Sequence, residues 1–190
     1  MYTVAVVVGS LRRDSLNRKF ANALAKLAQS KLRFRFVELA DVPIYNEDLW
    51  EDPPASVLRL KKDIEAADAV LFVTPEYNRS ITPVIKNAID WGTRPWGKNS
   101  WAGKPAAIVG ASPGTIGTAA AQAQLRSIAP VVDLVLMVQP EVYFVAKPGL
   151  IDDNGDITDD TTREFLEGWI DRFASFIGRV SPREAERRAA

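Results

Sequence analysis

The 190-residue chain contains no histidine and no cysteine. The first absence removes the commonest general base near neutral pH and the commonest metal ligand. The second excludes disulfides, thiolate metal sites and thiol nucleophiles. No sign of charge prevails either: 24 basic residues balance 24 acidic ones, so no bulk field draws nucleic acid or an anionic membrane. No apolar run approaches the roughly 18–20 residues that span a bilayer. The opening segment, Met1 to Val8, lacks the charged n-region and cleavage site of a signal peptide, which predicts a cytoplasmic protein. Any chemistry must then be carried by something other than a His or Cys side chain.

What is present fits one domain. A hydrophobic share of 47% and a charged share of 25% are ordinary for a globular protein. Strand-like runs fall at Thr3–Val8, Leu32–Glu38, Ala69–Thr74, Pro105–Gly110 and Asp133–Met137. The first, third and fourth are nearly unbroken apolar runs, expected where helices cover both sheet faces. The second alternates Leu32, Phe34 and Phe36 with Lys31, Arg33 and Arg35, which places it at an edge. Helical patterns span Leu16–Ala28, Ala55–Ala66, Pro83–Trp91, Gly117–Ile128 and about Thr161–Ile177, with Thr82-Pro83 as N-cap and first turn of the third. The alternation predicts an α/β three-layer sandwich with a five-stranded parallel sheet in the order 2-1-3-4-5. Between Gln139 and Thr158 lies a long excursion with a short extra strand expected at Val142–Val145. Residues 1–180 form the domain in this reading, and 181–190 a frayed tail.

In such sheets ligands sit beyond the carboxyl ends of the strands, where the strand order reverses. The first loop there reads Gly9-Ser10-Leu11-Arg12-Arg13-Asp14-Ser15-Leu16-Asn17. Hydroxyls, an amide, guanidinium groups and a helix start make it a phosphate site. It lacks the G-x-G-x-x-G glycines that admit a pyrophosphate, so a lone terminal phosphate, as on FMN, suits it better. Ser15 or Asp14 acting as a plain helix cap accounts for it equally well. The second loop, Thr74 to Pro83, brackets Glu76-Tyr77-Asn78-Arg79-Ser80 between prolines. It can lay amides along a flat heterocycle, or simply connect strand to helix with Tyr77 packed on a neighbour. Both readings stay open on the residues alone.

Together, Gly9-Ser10-Leu11-Arg12-x-x-Ser15-x-Asn17 and Pro75-Glu76-Tyr77-Asn78-x-Ser80-x-x-Pro83-x-x-Lys86-Asn87-Ala88-x-Asp90-Trp91 resemble the NADPH-dependent FMN reductase family, whose members include quinone, chromate and azo-dye reductases. The resemblance implies a flavodoxin-like fold, bound FMN, NADPH or NADH as reductant, a quinone-like acceptor, and homodimers or homotetramers. By position it implies that Ser10, Arg12, Ser15, Leu16 and Asn17 hold the FMN phosphate. Pro75, Glu76, Tyr77, Asn78 and Arg79 would line the ring and ribityl chain, while Ser112, Gly114 and Thr115 approach the ring. Lys86, Asn87 and Trp91 would be structural. The flavin would carry the chemistry, with water or Tyr77 supplying protons. A flavodoxin-type electron carrier is the alternative, which the balanced charge disfavours. Arg79, Arg94 and Lys98 are unranked candidates for a nicotinamide 2′-phosphate.

Other motifs fail on their chemistry. Gly110-x-Ser112-x-Gly114 imitates a nucleophile elbow, but there is no histidine, and Pro113 has no N–H for an oxyanion hole. Gly92 to Lys98 imitates a P-loop, yet Asn99 replaces the Ser/Thr that holds Mg²⁺. Asp152 to Asp156 imitates a calcium loop without its glycine or closing glutamate. The Trp91–Trp101 stretch is either an aromatic wall over an acceptor site or, the preferred reading, part of a subunit interface, with Trp91 in the core.

Overall fold

Sequence runs without a polar break became the middle of the sheet. The computed structural model describes residues 1–181, in which β1 (Tyr2–Val8), β2 (Leu32–Phe36), β3 (Ala69–Val73), β4 (Pro105–Ser112), β5 (Val135–Leu136) and β6 (Val142–Val145) pair in parallel. The order is β2-β1-β3-β4-β5, with β6 also on β4. Every residue of β3 is buried, whereas β2 buries only its alternate face, as an edge strand should.

Five helices cover the sheet: α1 (Leu16–Ala28), α2 (Ala55–Ala66), α3 (Pro83–Gly92), α4 (Ala119–Ile128) and α5 (Asp160–Val180). On one face α1 and α5 pack Phe20, Leu24, Trp169 and Phe173 against Val4, Val6 and Val109. Phe20 stacks on Phe144 with ring centroids 4.3 Å apart. Truncating such a ring to alanine costs about 3–5 kcal/mol. On the other face α2, α3 and α4 bury Leu60, Ile85, Trp91 and Leu125 against Val7, Val70 and Ile108.

The fifth strand position differs from expectation. β5 is two residues long and pairs only Pro105 and Ala106; β6 then takes over along Val109–Ser112. Pro140 lies between them without an N–H to continue a ladder, so one long strand position is shared by two short strands. Helix α4 also starts two residues late, because Gly117 and Thr118 both have positive φ, 59° and 71°. At the carboxyl end, Ser181 is buried and its N–H donates to Ile177 O, so order extends past residue 180. The rest of the expected tail, 182–190, lies outside the described residues.

The tryptophan-rich stretch sits at the amino edge of the sheet, just before β4. Trp91 and Trp101 are fully buried, and Trp101 packs so close to Gly92 that a Cβ there would strike its indole. Buried Lys61 donates to Gly92 O, Lys98 O and Ser100 Oγ, and desolvation holds its pKa below the ordinary lysine value. Only Trp96 projects, 88% exposed. Within one chain the stretch therefore lies at the edge opposite the loops that follow β1, β3 and β4.

Candidate coenzyme site

Parallel registry brings three strand ends to one edge, β1 and β3 level and β4 running past them. Gly9 N–H donates to Val73 O at 3.0 Å and Thr74 N–H to Val109 O at 2.9 Å, so the loops after β1, β3 and β4 leave one edge together. Gly9 is fixed by packing rather than by a ligand: a Cβ there would lie 2.6 Å from Ile85 Cδ1 and 2.8 Å from Thr82 Oγ1.

In the first loop, no backbone N–H from Ser10 to Asn17 bonds to protein among the described residues. Residues 11–14 are exposed, and the guanidinium groups of Arg12 and Arg13 have no partner among the described residues. A run of free amides ending on a helix start, beside arginine, is an anion cradle. Ser15 is the N-cap of α1, its Oγ accepting from Arg18 N–H at 3.2 Å while its own O–H keeps a free donor. Asn17 departs from expectation. Its Nδ2 donates to Ala111 O and its Oδ1 accepts from Ala111 N–H, both at 2.9 Å. Strand β4 runs three residues beyond the end of β3, and the Asn17 amide takes the place of the missing strand. Its side chain is scaffold; only its N–H faces the cradle's helix end.

The second loop is bolted down. Tyr77 and Ser80 exchange backbone hydrogen bonds of 3.0 and 2.9 Å around Asn78 and Arg79, whose φ values of 52° and 65° are those of a tight hairpin turn. Glu76 also departs from expectation: its Oε2 accepts from Ala120 N–H and Ala121 N–H at 2.9 and 3.2 Å. Thr118 supplies no side-chain cap to α4, so Glu76 caps that helix from across the sheet. Gln124 fastens the turn further, donating to Arg79 O and accepting from Ser80 Oγ. Arg79 lies on Glu76 at 3.3 Å. Pro75 is buried, whereas Tyr77 stands out, 51% exposed.

The third loop is held by a few local bonds. Ser112 Oγ accepts from Gly114 N–H at 3.0 Å, and Gly114 and Thr115 are exposed. At Gly110, β4 passes so close to Thr74 O and Thr118 that any Cβ would collide. Beside the loop, burial and the Glu141 carboxylate push the Tyr143 phenol upward. Lys86 pairs with Asp90 on the surface, and Asn87 and Trp91 hold Pro43 and Tyr45, as a structural role requires. Sequence reasoning missed Gln122, a fully buried amide donating to Val142 O, and Gln124. A polar residue on the inner face of α4 was the only signal for the first.

An open parallel sheet whose edge presents free amides, hydroxyls and arginine, but no acid–base or nucleophilic constellation, is a coenzyme-binding domain of the flavodoxin-like kind. The model of the NADPH-dependent FMN reductase family matches residues 2–148, and the chain belongs to that family. It is 49% identical to a 2-hydroxy-1,4-benzoquinone reductase of Burkholderia sp over 174 residues, 92% of this chain and 95% of that one. A quinone reductase of Pseudomonas putida is 49% identical over 178 residues, 93% and 95% of the two chains. Among solved structures, the flavoenzyme NAD(P)H:(acceptor) oxidoreductase FerB of Paracoccus denitrificans superposes with a TM-score of 0.93 at 52% identity, covering 95% of this chain and all of that one.

Proposed function

We propose that this protein is an NAD(P)H-dependent FMN reductase that delivers electrons to quinone-like acceptors. One observation carries the reading: the partner-free amides from Ser10 to Asn17, beside Arg12, in a family of FMN enzymes. Ser10, Arg12 and the Ser15 hydroxyl, with the N–H groups of Leu16 and Asn17, would hold the FMN phosphate. Pro75, Glu76, Tyr77, Asn78 and Arg79 would form a rigid shelf for the ring, with Ser112, Gly114 and Thr115 closing one side. FMN, when bound, supplies the two-electron redox chemistry that this chain's side chains lack. The protein's part is to orient, to place amide dipoles where negative charge accumulates, and to pass a proton from water or Tyr77.

The named quinone reductases among the relatives favour an enzyme over a mere electron carrier. Chromate and azo compounds are further acceptors to be assayed beside quinones. No described helix is long and apolar enough to cross a membrane. We place the protein in the cytoplasm as a homodimer or homotetramer. Exposed Trp96 and Val131, 88% and 85% accessible beside one cleft, support a subunit contact there.

The test is purification, an absorption spectrum, and NAD(P)H turnover with a benzoquinone. A yellow protein that releases FMN and oxidises NAD(P)H only with acceptor is expected. A colourless protein that takes up no FMN contradicts the reading, and FMN without turnover makes it a carrier.

A further inference from the structure

Left-handed backbone is rare outside glycine, and here it gathers at the coenzyme edge. Four non-glycine residues among those described have positive φ: Asn78 at 52°, Arg79 at 65°, Thr118 at 71° and Asp133 at 59°. The first three belong to the second and third loops, while Asp133 precedes β5 at the amino edge. Asparagine tolerates this conformation, arginine does so poorly, and a β-branched threonine is a true outlier. Arg79 stands at the turn position that glycine holds in an Asn-Gly hairpin. Such angles persist only where neighbours impose them.

Helix α4 imposes both. Gln124 Nε2 donates to Arg79 O at 3.0 Å and its Oε1 accepts from Ser80 Oγ at 2.7 Å, so one side-chain amide ties down two residues of the turn. Gln122 Nε2 donates to Thr118 Oγ1 at 3.1 Å and to Val142 O at 2.8 Å, and Gln122 N–H donates to Thr118 O at 3.0 Å. Behind Thr118 the backbone of Gly110 is bare: a Cβ there would lie 2.0 Å from Thr118 Oγ1. Two positions apart on a helix, the glutamines point roughly 200° away from each other. Gln122 is fully buried and Gln124 is exposed, so one helix reaches both loops from its two sides.

We propose that Gln122 and Gln124 are positioning residues for the coenzyme ring, holding the third and second loops in the strained shapes that receive it. Each acts through the loop it holds rather than on the ring itself. Glycine at position 79 or 118 would reach the same angles without strain, but with the freedom to leave them. Arginine and threonine, once held, leave less ordering to be done when the ring docks, and that raises affinity. Neither glutamine bonds to the loop after β1, so the phosphate cradle lies outside their reach. The inference rests on the proposed FMN reductase function.

The experiment titrates FMN and riboflavin into apoprotein by fluorescence, for the wild type, Gln124→Ala, Gln122→Met and Gln122→Met/Thr118→Gly. In Gln124→Ala both ligands should lose roughly three- to tenfold in affinity. The factor should be the same for both, because the phosphate grip is untouched. The melting temperature should stay within about 3 °C of the wild type, which separates a positioning role from a merely structural one. Gln122→Met should weaken both ligands as well, and adding Thr118→Gly should restore about half or more of the lost affinity, since glycine needs no holder at that φ. Unchanged affinities in Gln124→Ala, a loss for FMN alone, or no recovery with Thr118→Gly would each overturn the assignment. If Gln122→Met does not fold, Gln124→Ala decides alone. A wild type that binds neither ligand instead brings down the functional reading, and this inference with it.

Discussion

After β1 the backbone is open: among the described residues its amides from Ser10 to Asn17 have no protein partners, and Arg12 is exposed. After β3 it is closed: a two-residue turn is locked by paired backbone bonds and tied to α4 through Glu76 and Gln124. Both loops leave the same sheet edge, and each was expected to supply ligands. Their difference shows a division of work. The first loop keeps its donors free for an anion, and the second uses its polar side chains to hold itself still as a shelf. Asn17 and Glu76, ligand-like by motif, are instead the fasteners that position the two loops.

That division can be broken most severely at Asn17. Asn17→Ala strands the N–H and C=O of buried Ala111, and about 2–4 kcal/mol of stability should be lost. A thermal melt should fall by roughly 5–15 °C; a shift below 1 °C would show that the clamp is dispensable. Next comes Glu76→Ala, which uncaps α4 and should cost about 1–2 kcal/mol in denaturant unfolding. Glu76→Gln keeps an acceptor and should lose less than half of that. Arg12→Ala sharpens the contrast from the other side. Stability should stay within about 0.5 kcal/mol, while FMN affinity drops roughly tenfold or more by fluorescence titration.

The smallest expected effect lies away from both loops. Asp159 caps α5 by accepting from Thr162 N–H and Oγ1, which holds its carboxyl below the ordinary 3.8. A depressed carboxyl contributes stability above its unfolded value and loses it as pH falls through the folded one. The melting gap between wild type and Asp159→Ala should therefore be larger at pH 6 than at pH 3. A gap independent of pH would remove the ionised cap.

Much of this was legible beforehand because it is local. The unbroken Val4–Val8 and Ala69–Val73 runs announce doubly covered strands, and Thr82-Pro83 announces a helix start. The place of Asn87 and Trp91 on the helix after the second loop points to a structural role, and both donate to Pro43 O. What stayed hidden depends on register. Nothing in Asn17 shows that β4 outruns β3, and nothing in Glu76 shows that α4 begins beside it without its own cap. The exchange of β5 for β6 was half visible in Val142–Val145, but its sharing of β4 follows from where Pro140 interrupts the ladder.

The central claim is that the turn between β1 and α1 grips a phosphomonoester. Parallel titration of the apoprotein with FMN and with riboflavin, which share the ring and differ in the phosphate, tests it directly. Several charge-assisted hydrogen bonds to the phosphate predict FMN affinity on the order of a thousandfold above that of riboflavin. Equal affinities would mean that the turn does not hold the phosphate.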